Sequence, residues 1–460
     1  MISARCLRSA LNSGILITCS CLGFCLHNGA GAIGIHKLGT AVLAKKDVAL
    51  LTLQSLVCLP VMVFLTKSTV IVLAVTTICG LLYVRSFPQF RPVSAWMLLI
   101  TTGFVSAIWS ITPYQSLERA GKFGIFLVLL AVLMCVVSRW TPKDRHRLSE
   151  LGLKAWWVAL LIALPLIFLE TEAKTSIARI FSPDWGIYVL TEQGTHVFKV
   201  WKPISNNGVI VLVVTAFPLL GHLMTSGRRK RYLFLSLIGL FAACLASGSS
   251  SALLGLVSGL VVWFFYDRCA RVTKKVLIII LPLSILTMPI LVHPLAKNPE
   301  SIARNVPNFP NSFIHRLLIW DFTLKRIAER PLLGWGLDTS RAIPGGKDLR
   351  PIHFVVPWSD KPITHPDQNL PLHPHNAVLQ VWLELGAFGA FVVMLGIWSL
   401  LRTQLVSARS GPMAGYIVCA MAVYCVAFGL MQSWWLSLLF LAWAAGKAAT
   451  PSETRSKIGD

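Results

Sequence analysis

Apolar residues in this chain come in long blocks separated by short polar stretches. The blocks lie at about 11–33, 48–66, 69–84, 93–110, 122–138, 152–169, 207–225, 231–247, 250–266, 275–292, 376–401, 412–430 and 432–449. Most approach the roughly 20 residues that carry an α-helix through a bilayer. The pattern predicts an all-α polytopic membrane protein of about twelve transmembrane helices. The first block is the weakest, interrupted around His27-Asn28-Gly29 and preceded by Arg5 and Arg8. A signal-like segment, an interfacial helix and a true span all fit it.

Basic residues orient the crossings. Arg228-Arg229-Lys230-Arg231 form one cluster, Arg268, Arg271, Lys274 and Lys275 a second, and Arg139, Lys143, Arg145, Arg147 and Lys154 a third. Even numbers of crossings separate them, so all can face the cytoplasm together. The longer loops 170–206 and 293–375 then face outward. The chain divides into N-terminal transmembrane helices (1–292), a large outward loop (293–375), C-terminal transmembrane helices (376–449) and a cytoplasmic tail (450–460).

The loop 293–375 carries more than half of the eleven histidines and many prolines. Structureless loops of such length are usually functional or disordered, but this one contains an amphipathic helix at 313–330. Ser312 can cap it, and Phe313, Leu317, Leu324 and Ile327 share one face, with Arg316, Lys325, Arg326 and Glu329 elsewhere. Pro331 stops it, and Gly334-Trp335-Gly336 makes a turn. Such a helix would lie on the outer membrane surface, apolar face down, as a lid over a site at the lipid boundary.

Composition agrees with the pattern: 55% of residues are hydrophobic and 13% charged, against about 25% charged in soluble domains. The net charge is +23, from 42 Lys plus Arg and 19 Asp plus Glu. The basic residues are scattered among short loops, which points to lipid headgroups as partners and away from nucleic acid. None of the eleven cysteines falls between residues 293 and 375, and no CxxC pair occurs. The cysteines read as small apolar core residues, without a disulfide framework or a zinc motif.

The candidate chemistry gathers where the loop re-enters the membrane, in HPHNAVLQVWLELGAFGAF from His373 to Phe391. Pro374, His375 and Asn376 sit at a helix start, where free N–H groups and the helix dipole attract anions. His375 can accept a proton near neutral pH, and Asn376 can orient a neighbour or a sugar hydroxyl. A histidine that merely solvates the helix end is the plainer reading of His375. His373 and His375, with His365 and Asp367 nearby, raise a metal, but no HExxH-type motif is present, and none is assigned. Asn376, Gln380 and Glu384 form one polar stripe. Glu384 lies about 13 Å along the helix from His375, beyond direct contact, and reads as structural. Gly386 and Gly389 read as sites of close helix approach. Arg316 on the loop helix is the best-placed cation for an outward-facing pyrophosphate, its planar fork matching phosphate oxygens, unless it is a solvated surface charge. Arg304 and Arg341 are weaker versions, and Lys199 and Lys202 of the other outward loop could approach the same face.

These elements resemble the O-antigen ligase and polysaccharide polymerase superfamily of bacterial envelope proteins. That family carries a histidine and a small polar residue, nine spacer residues, then G-x-x-G, matched here by His375-Asn376, Gly386 and Gly389. HRLLIWDFTLKRIAERPLLGWGLDTS is similar to its R-x-x-x-W element followed by a PLLGWG turn, and WKPISNNGVIVLVVTAFPL to its asparagine-bearing segment. The resemblance runs from about residue 90 onward. It implies a GT-C-like glycosyltransferase in the bacterial inner membrane, with a periplasmic site and no cofactor, metal or nucleotide sugar. It implies a glycan donor on undecaprenyl pyrophosphate. The acceptor is a lipid A core for a ligase, or a second lipid-linked glycan for a polymerase. By resemblance His375 assists deprotonation of the acceptor and Arg316 holds the leaving pyrophosphate. Many relatives carry an arginine in S-G-S-R-x-A-L-L, where this chain reads SGSSSALLG with Ser250. The remote alternative, a lipid flippase or transporter, predicts broken helices and ionisable residues mid-span, whereas the polar residues here concentrate in outward loops and at helix ends.

Overall fold

The computed structural model describes residues 58–83, 94–172, 187–190, 196–199, 206–225, 230–297, 299, 311–354, 363–406 and 410–449. The block 11–33 and the tail 450–460 lie outside them. In chain order the elements are α1 (Ser68–Tyr83), α2 (Ser94–Ser106), α3 (Pro113–Ser138), α4 (Pro142–Glu172), β1 (Ile187–Leu190) and β2 (His196–Lys199). Then come α5 (Asn206–Thr225), α6 (Lys230–Ser247), α7 (Ser250–Ala296) and α8 (Asn311–Glu329), followed by β3 (Leu349–Phe354) and β4 (Ile363–Gln368). The chain closes with α9 (Ala377–Gln404), α10 (Gly411–Tyr424) and α11 (Ser433–Ala449). The two strand pairs are antiparallel hairpins in the two longer loops.

Among the described residues, α3, α4, α5, α7 and α9 are long and apolar enough to cross a bilayer, and shorter apolar helices accompany them. Large apolar side chains such as Ile71, Ile125, Leu161, Phe234, Phe265 and Ile279 are exposed on the helices. A surface of that kind belongs against lipid rather than water. The chain is an all-α, multi-pass membrane protein.

Helix α5 lies at the centre because it is apolar all round. From Val209 to Leu220 nearly every side chain is buried, and the Trp156 indole of α4 donates to its Leu212 carbonyl at 3.0 Å. Helix α7 is two spans in one run. Cys269 leaves helical geometry (φ −134, ψ 51), and the chain reverses there. Gly255 packs on Val423 and Cys419, and Gly411 on Trp263 and Asp267, so the first leg runs antiparallel to α10. The second leg returns to place Val292 and Ala296 beside α8 and Leu379. Cys244 and Cys419 are buried as small core residues, but Cys269 is exposed at this reversal.

Close helix approach occurs between α7 and α10. A Cβ on Gly259 would meet the Gly415 carbonyl oxygen at 2.7 Å, and one on Gly415 would meet the Gly259 carbonyl oxygen at 2.8 Å. Reciprocal glycines of this kind let two backbones touch.

The loop helix α8 starts at Asn311, so Ser312 stands in its first turn rather than before it. Its apolar face is not laid on the membrane as the sequence suggests. Leu317, Ile319, Trp320 and Ile327 pack on Val292, Ala296, Trp335, Leu379 and Leu383, all protein. Protein packing wins because Val292 and Ala296 of α7 and Leu379 and Leu383 of α9 offer α8 a buried apolar seat.

Candidate functional site

The site is built on a break in α9. Gly386 has φ 63 and ψ −162, a region open essentially to glycine alone. It splits α9 into a short half, 377–385, and a long half, 387–404. Such a break strands carbonyls on one side and N–H groups on the other, which is costly inside a membrane protein unless other backbone meets them. The turn after α8 supplies that backbone. Trp335 N–H donates to the Leu383 carbonyl at 3.0 Å and Gly336 N–H to that of Glu384 at 2.8 Å. From the other side, Ala387 N–H donates to the Pro331 carbonyl at 2.8 Å and Phe388 N–H to that of Leu332 at 3.2 Å. Two glycines make the approach possible: a Cβ on Gly334 (φ +68) would strike the Glu384 backbone, and one on Gly386 that of Leu332.

The expected packing role of Gly386 and Gly389 is therefore corrected. Gly386 opens the break, and Gly389 faces the Leu385 side chain just before it. The sequence does flag the Gly334-Trp335-Gly336 turn. Its docking partner 50 residues away has no local signature.

Glu384 closes the same junction. Its Oε2 accepts from Asp338 N–H at 2.8 Å. Its Oε1 accepts from the Ser340 hydroxyl at 2.5 Å and from Gln380 Nε2 at 2.8 Å. Asp338, itself at φ 59, pairs with Arg119 of α3 at 2.7 Å. A broken helix with a buried carboxylate is what the transporter alternative predicts, and the polar residues are not confined to helix ends. Here, however, the 331–340 segment fills the break.

At the start of the short half, Asn376 is an N-cap in extended conformation, its Oδ1 accepting from Val378 and Leu379 N–H, both at 3.0 Å. His375 has φ 53, uncommon for a non-glycine residue. Three bonds hold the strained strap. His375 N–H donates to His373 Nδ1 at 3.1 Å. The His375 ring Nδ1 lies 3.0 Å from the Ala427 carbonyl. The Trp320 indole donates to the Pro374 carbonyl at 2.8 Å. The 427–430 turn is fixed in its place by Gln380, whose Oε1 accepts from Leu430 N–H at 2.8 Å. The polar stripe thus divides into a cap, a bridge and a clasp, linking His375 to Glu384 only through Gln380 and the 427–430 turn.

These bonds assign the tautomers. A carbonyl only accepts, so neutral His375 carries its proton on Nδ1 and leaves the Nε2 lone pair available. His373 accepts at Nδ1 and must be neutral there. Burial, the adjoining His375 and the charge of Arg341 hold the His373 imidazole down at about 3. Burial lowers His375 as well, opposed by the Ala427 bond and reinforced by Arg316.

Arg316 stands one helical turn before Trp320, on the face that reaches the strap. It is half-buried, and burial lowers it from its ordinary value without neutralising so strong a base. Arg341 is exposed, just after the Glu384 clasp, and its charge acts on His373. The structure thus brings together His375, His373, Asn376, Arg316 and Arg341. Lys199 stands on β2, and Lys202 and Arg304 lie outside the described residues.

Sequence reasoning missed His315 and Arg350. His315 Nε2 lies 3.2 Å from Asp367 Oδ2, misaligned for a hydrogen bond, and burial lowers its pKa more than Asp367 raises it. Arg350 faces Asp367 across the β3–β4 pair. Asp367 thus stands beside His315 of α8, and His373 Nδ1 is engaged by backbone. Among the described residues no group of three or more His, Cys, Asp or Glu is arranged to hold a metal.

Most of this junction, from α7 through α8 to the break in α9, falls within residues 234–394, which match the sequence profile of the O-antigen ligase family; Arg119, Ala427 and Leu430 lie outside them. Over these residues the chain is similar to the O-antigen ligase family. A protein of Rickettsia conorii, named as a candidate polysaccharide ligase, is 26% identical over 74% of this chain and 75% of its own length. Similarly named proteins of Rickettsia felis (26%, over 73% and 74%) and Rickettsia prowazekii (23%, over 77% and 82%) also match. The resemblance to the O-antigen ligase family is borne out. Within the family segment lie His375, Arg316, Arg341, the α8 turn and both halves of the α9 break up to residue 394.

Proposed function

We propose that this protein is an O-antigen ligase-type glycosyltransferase. It moves a glycan from undecaprenyl pyrophosphate to an acceptor hydroxyl at the periplasmic face of the bacterial inner membrane. The observation that carries the reading is the His375 strap, a neutral imidazole with Nε2 available, within the family segment and beside two arginines.

The chemistry follows from the groups. The acceptor oxygen attacks the anomeric carbon of the donor glycan, and its proton passes to His375 Nε2. The bond from that carbon to the pyrophosphate oxygen breaks, and its electron pair leaves with the pyrophosphate. Arg316 and Arg341 hold the phosphate oxygens as their charge grows. Because the donor is already activated, positioning, proton removal and charge stabilisation suffice. A pKa depressed by burial keeps His375 neutral before reaction. The arriving pyrophosphate then raises its basicity, since a nearby anion favours the protonated ring. Arg341 takes the place of the arginine that relatives carry where this chain has Ser250. Asn376, buried, spends its Oδ1 on the helix cap and serves the substrate by holding the helix start that carries His375.

The test is deletion of the gene followed by analysis of the lipid-linked glycan pool. Long unattached chains on undecaprenyl pyrophosphate are expected. Accumulated single repeats would instead make the protein a polymerase, and an unchanged pool would overturn the reading.

A further inference from the structure

A cavity of ≈620 Å³ runs inside the bundle between α2, α3, α9, α10 and α11. Its size falls within that of small-molecule sites. The walls are apolar for most of the depth, with Leu127, Val381, Ile397 and Ile417 among them. The two ends differ in chemistry. One lies directly under the His375 strap, at Ala377 and Val378, and carries no charge. The other, at the far end of α9 and α11, is lined by Arg145, Lys447, Ser138, Thr403 and Gln404. From Phe123 to Val137 the wall follows the unbroken α3 for roughly 21 Å at 1.5 Å per residue, about two-thirds of the thickness of a bilayer core.

We propose that this cavity binds an anionic glycerophospholipid from the leaflet opposite His375, its phosphate at Arg145 and Lys447 and its hydrocarbon along the tube. An apolar lumen with two cations and three hydroxyl or amide groups gathered at one mouth matches a molecule that is hydrocarbon along its length and anionic at one tip. The polarity runs opposite to that of the transfer donor, whose pyrophosphate belongs at the His375 end, so the two ligands are distinct. The lipid tail fills the space beneath the short half of α9 and supports the floor on which Asn376 and His375 stand. The site is independent of the transfer reaction and would stand if that reading failed.

The test uses the purified full chain in nanodiscs of phosphatidylcholine with or without phosphatidylglycerol, and counts retained lipid by native mass spectrometry. Wild type is expected to keep one phosphatidylglycerol and to release phosphatidylcholine. At about fivefold for each basic residue near a headgroup, Arg145→Gln with Lys447→Gln weakens retention about thirty-fold. Leu400→Trp, which fills the tube and leaves both cations in place, also releases the lipid. Three results would overturn the proposal: equal retention of the two phospholipids, unchanged retention in the double variant, or displacement of phosphatidylglycerol by added undecaprenyl phosphate.

Discussion

Acidification offers the sharpest probe of the strap, because its geometry requires a neutral His373. The ring accepts the His375 N–H at Nδ1, and a proton there would replace an attraction by a clash of two donors. Folded, the group titrates at about 3, and unfolded near the ordinary value of about 6.5. A depressed histidine binds more protons in the unfolded chain, so its contribution is full above about pH 6.5 and is lost as pH falls toward about 3. At pH 5 the loss from this one residue is about 2 kcal/mol, from 1.5 pH units at about 1.4 kcal/mol each.

Other groups titrate in the same range, so the measurement is a difference. Asn offers an Oδ1 where histidine has Nδ1, keeps the bond to His375 and carries no titrating group. Thermal or chaotrope unfolding of wild type and His373→Asn in detergent, from about pH 7 to pH 5, should show the variant gaining about 2 kcal/mol on wild type. His375 and Arg341 are unchanged in both, so their effects cancel. A stability difference that stays constant with pH would refute the assignment of His373 as a neutral acceptor.

Four further outcomes are expected. His375→Ala should lower glycan transfer by about 10²–10⁴-fold while the protein remains stably in the membrane, and normal transfer would remove the proposed base. Arg316→Ala should lose donor use even at high acceptor concentration; wild-type donor affinity in a binding assay would count against the pyrophosphate role. Glu384→Ala leaves Asp338 N–H, the Ser340 hydroxyl and Gln380 Nε2 without their acceptor, a loss of about 3 kcal/mol or more, read as faster proteolysis of the 331–340 segment. Gly386→Ala combines a glycine-only backbone with a clash on Leu332, costing about 3 kcal/mol or more, and an unaltered yield of folded protein would contradict the break.

Much of the bundle was legible because a bilayer leaves so few choices: among the described residues, apolar blocks became helices nearly where they stood. The reversal at Cys269 was legible too, since the basic cluster from Arg268 to Lys275 announces a loop even though the helical run continues through it. The break in α9 was hidden. Its sequence, LELGAFG, satisfies helix periodicity on both sides, and the glycine that opens it looks the same as one that merely packs. What selects the break is tertiary: PLLGWG arrives with two carbonyls and two N–H groups in register with the four groups that Gly386 leaves unpaired. The seat of α8 was misjudged for the same reason. An apolar helix face fits lipid and protein equally, and only the positions of Leu379 and Leu383 decide between them.

The break also explains how His375 on one element and Arg316 on another keep their separation. Helix α8 and the short half of α9 run side by side and are pinned by tryptophans at the two ends of that short half. At one end Trp320 bonds to Pro374, next to His375. At the other, the Trp335 indole bonds to the Arg326 carbonyl at 2.9 Å while its N–H bonds to Leu383. A helix joined to its neighbour at one point can swing; one joined at two points about a turn or more apart cannot. Arg316 sits within a turn of the first pin, so its distance from His375 is set by the backbone and not by its own flexible stem alone. Had α9 continued unbroken, Leu383 and Glu384 would have spent their carbonyls on their own helix, and the second pin would have had nothing to bind. The glycine that weakens the helix is therefore what fixes the site.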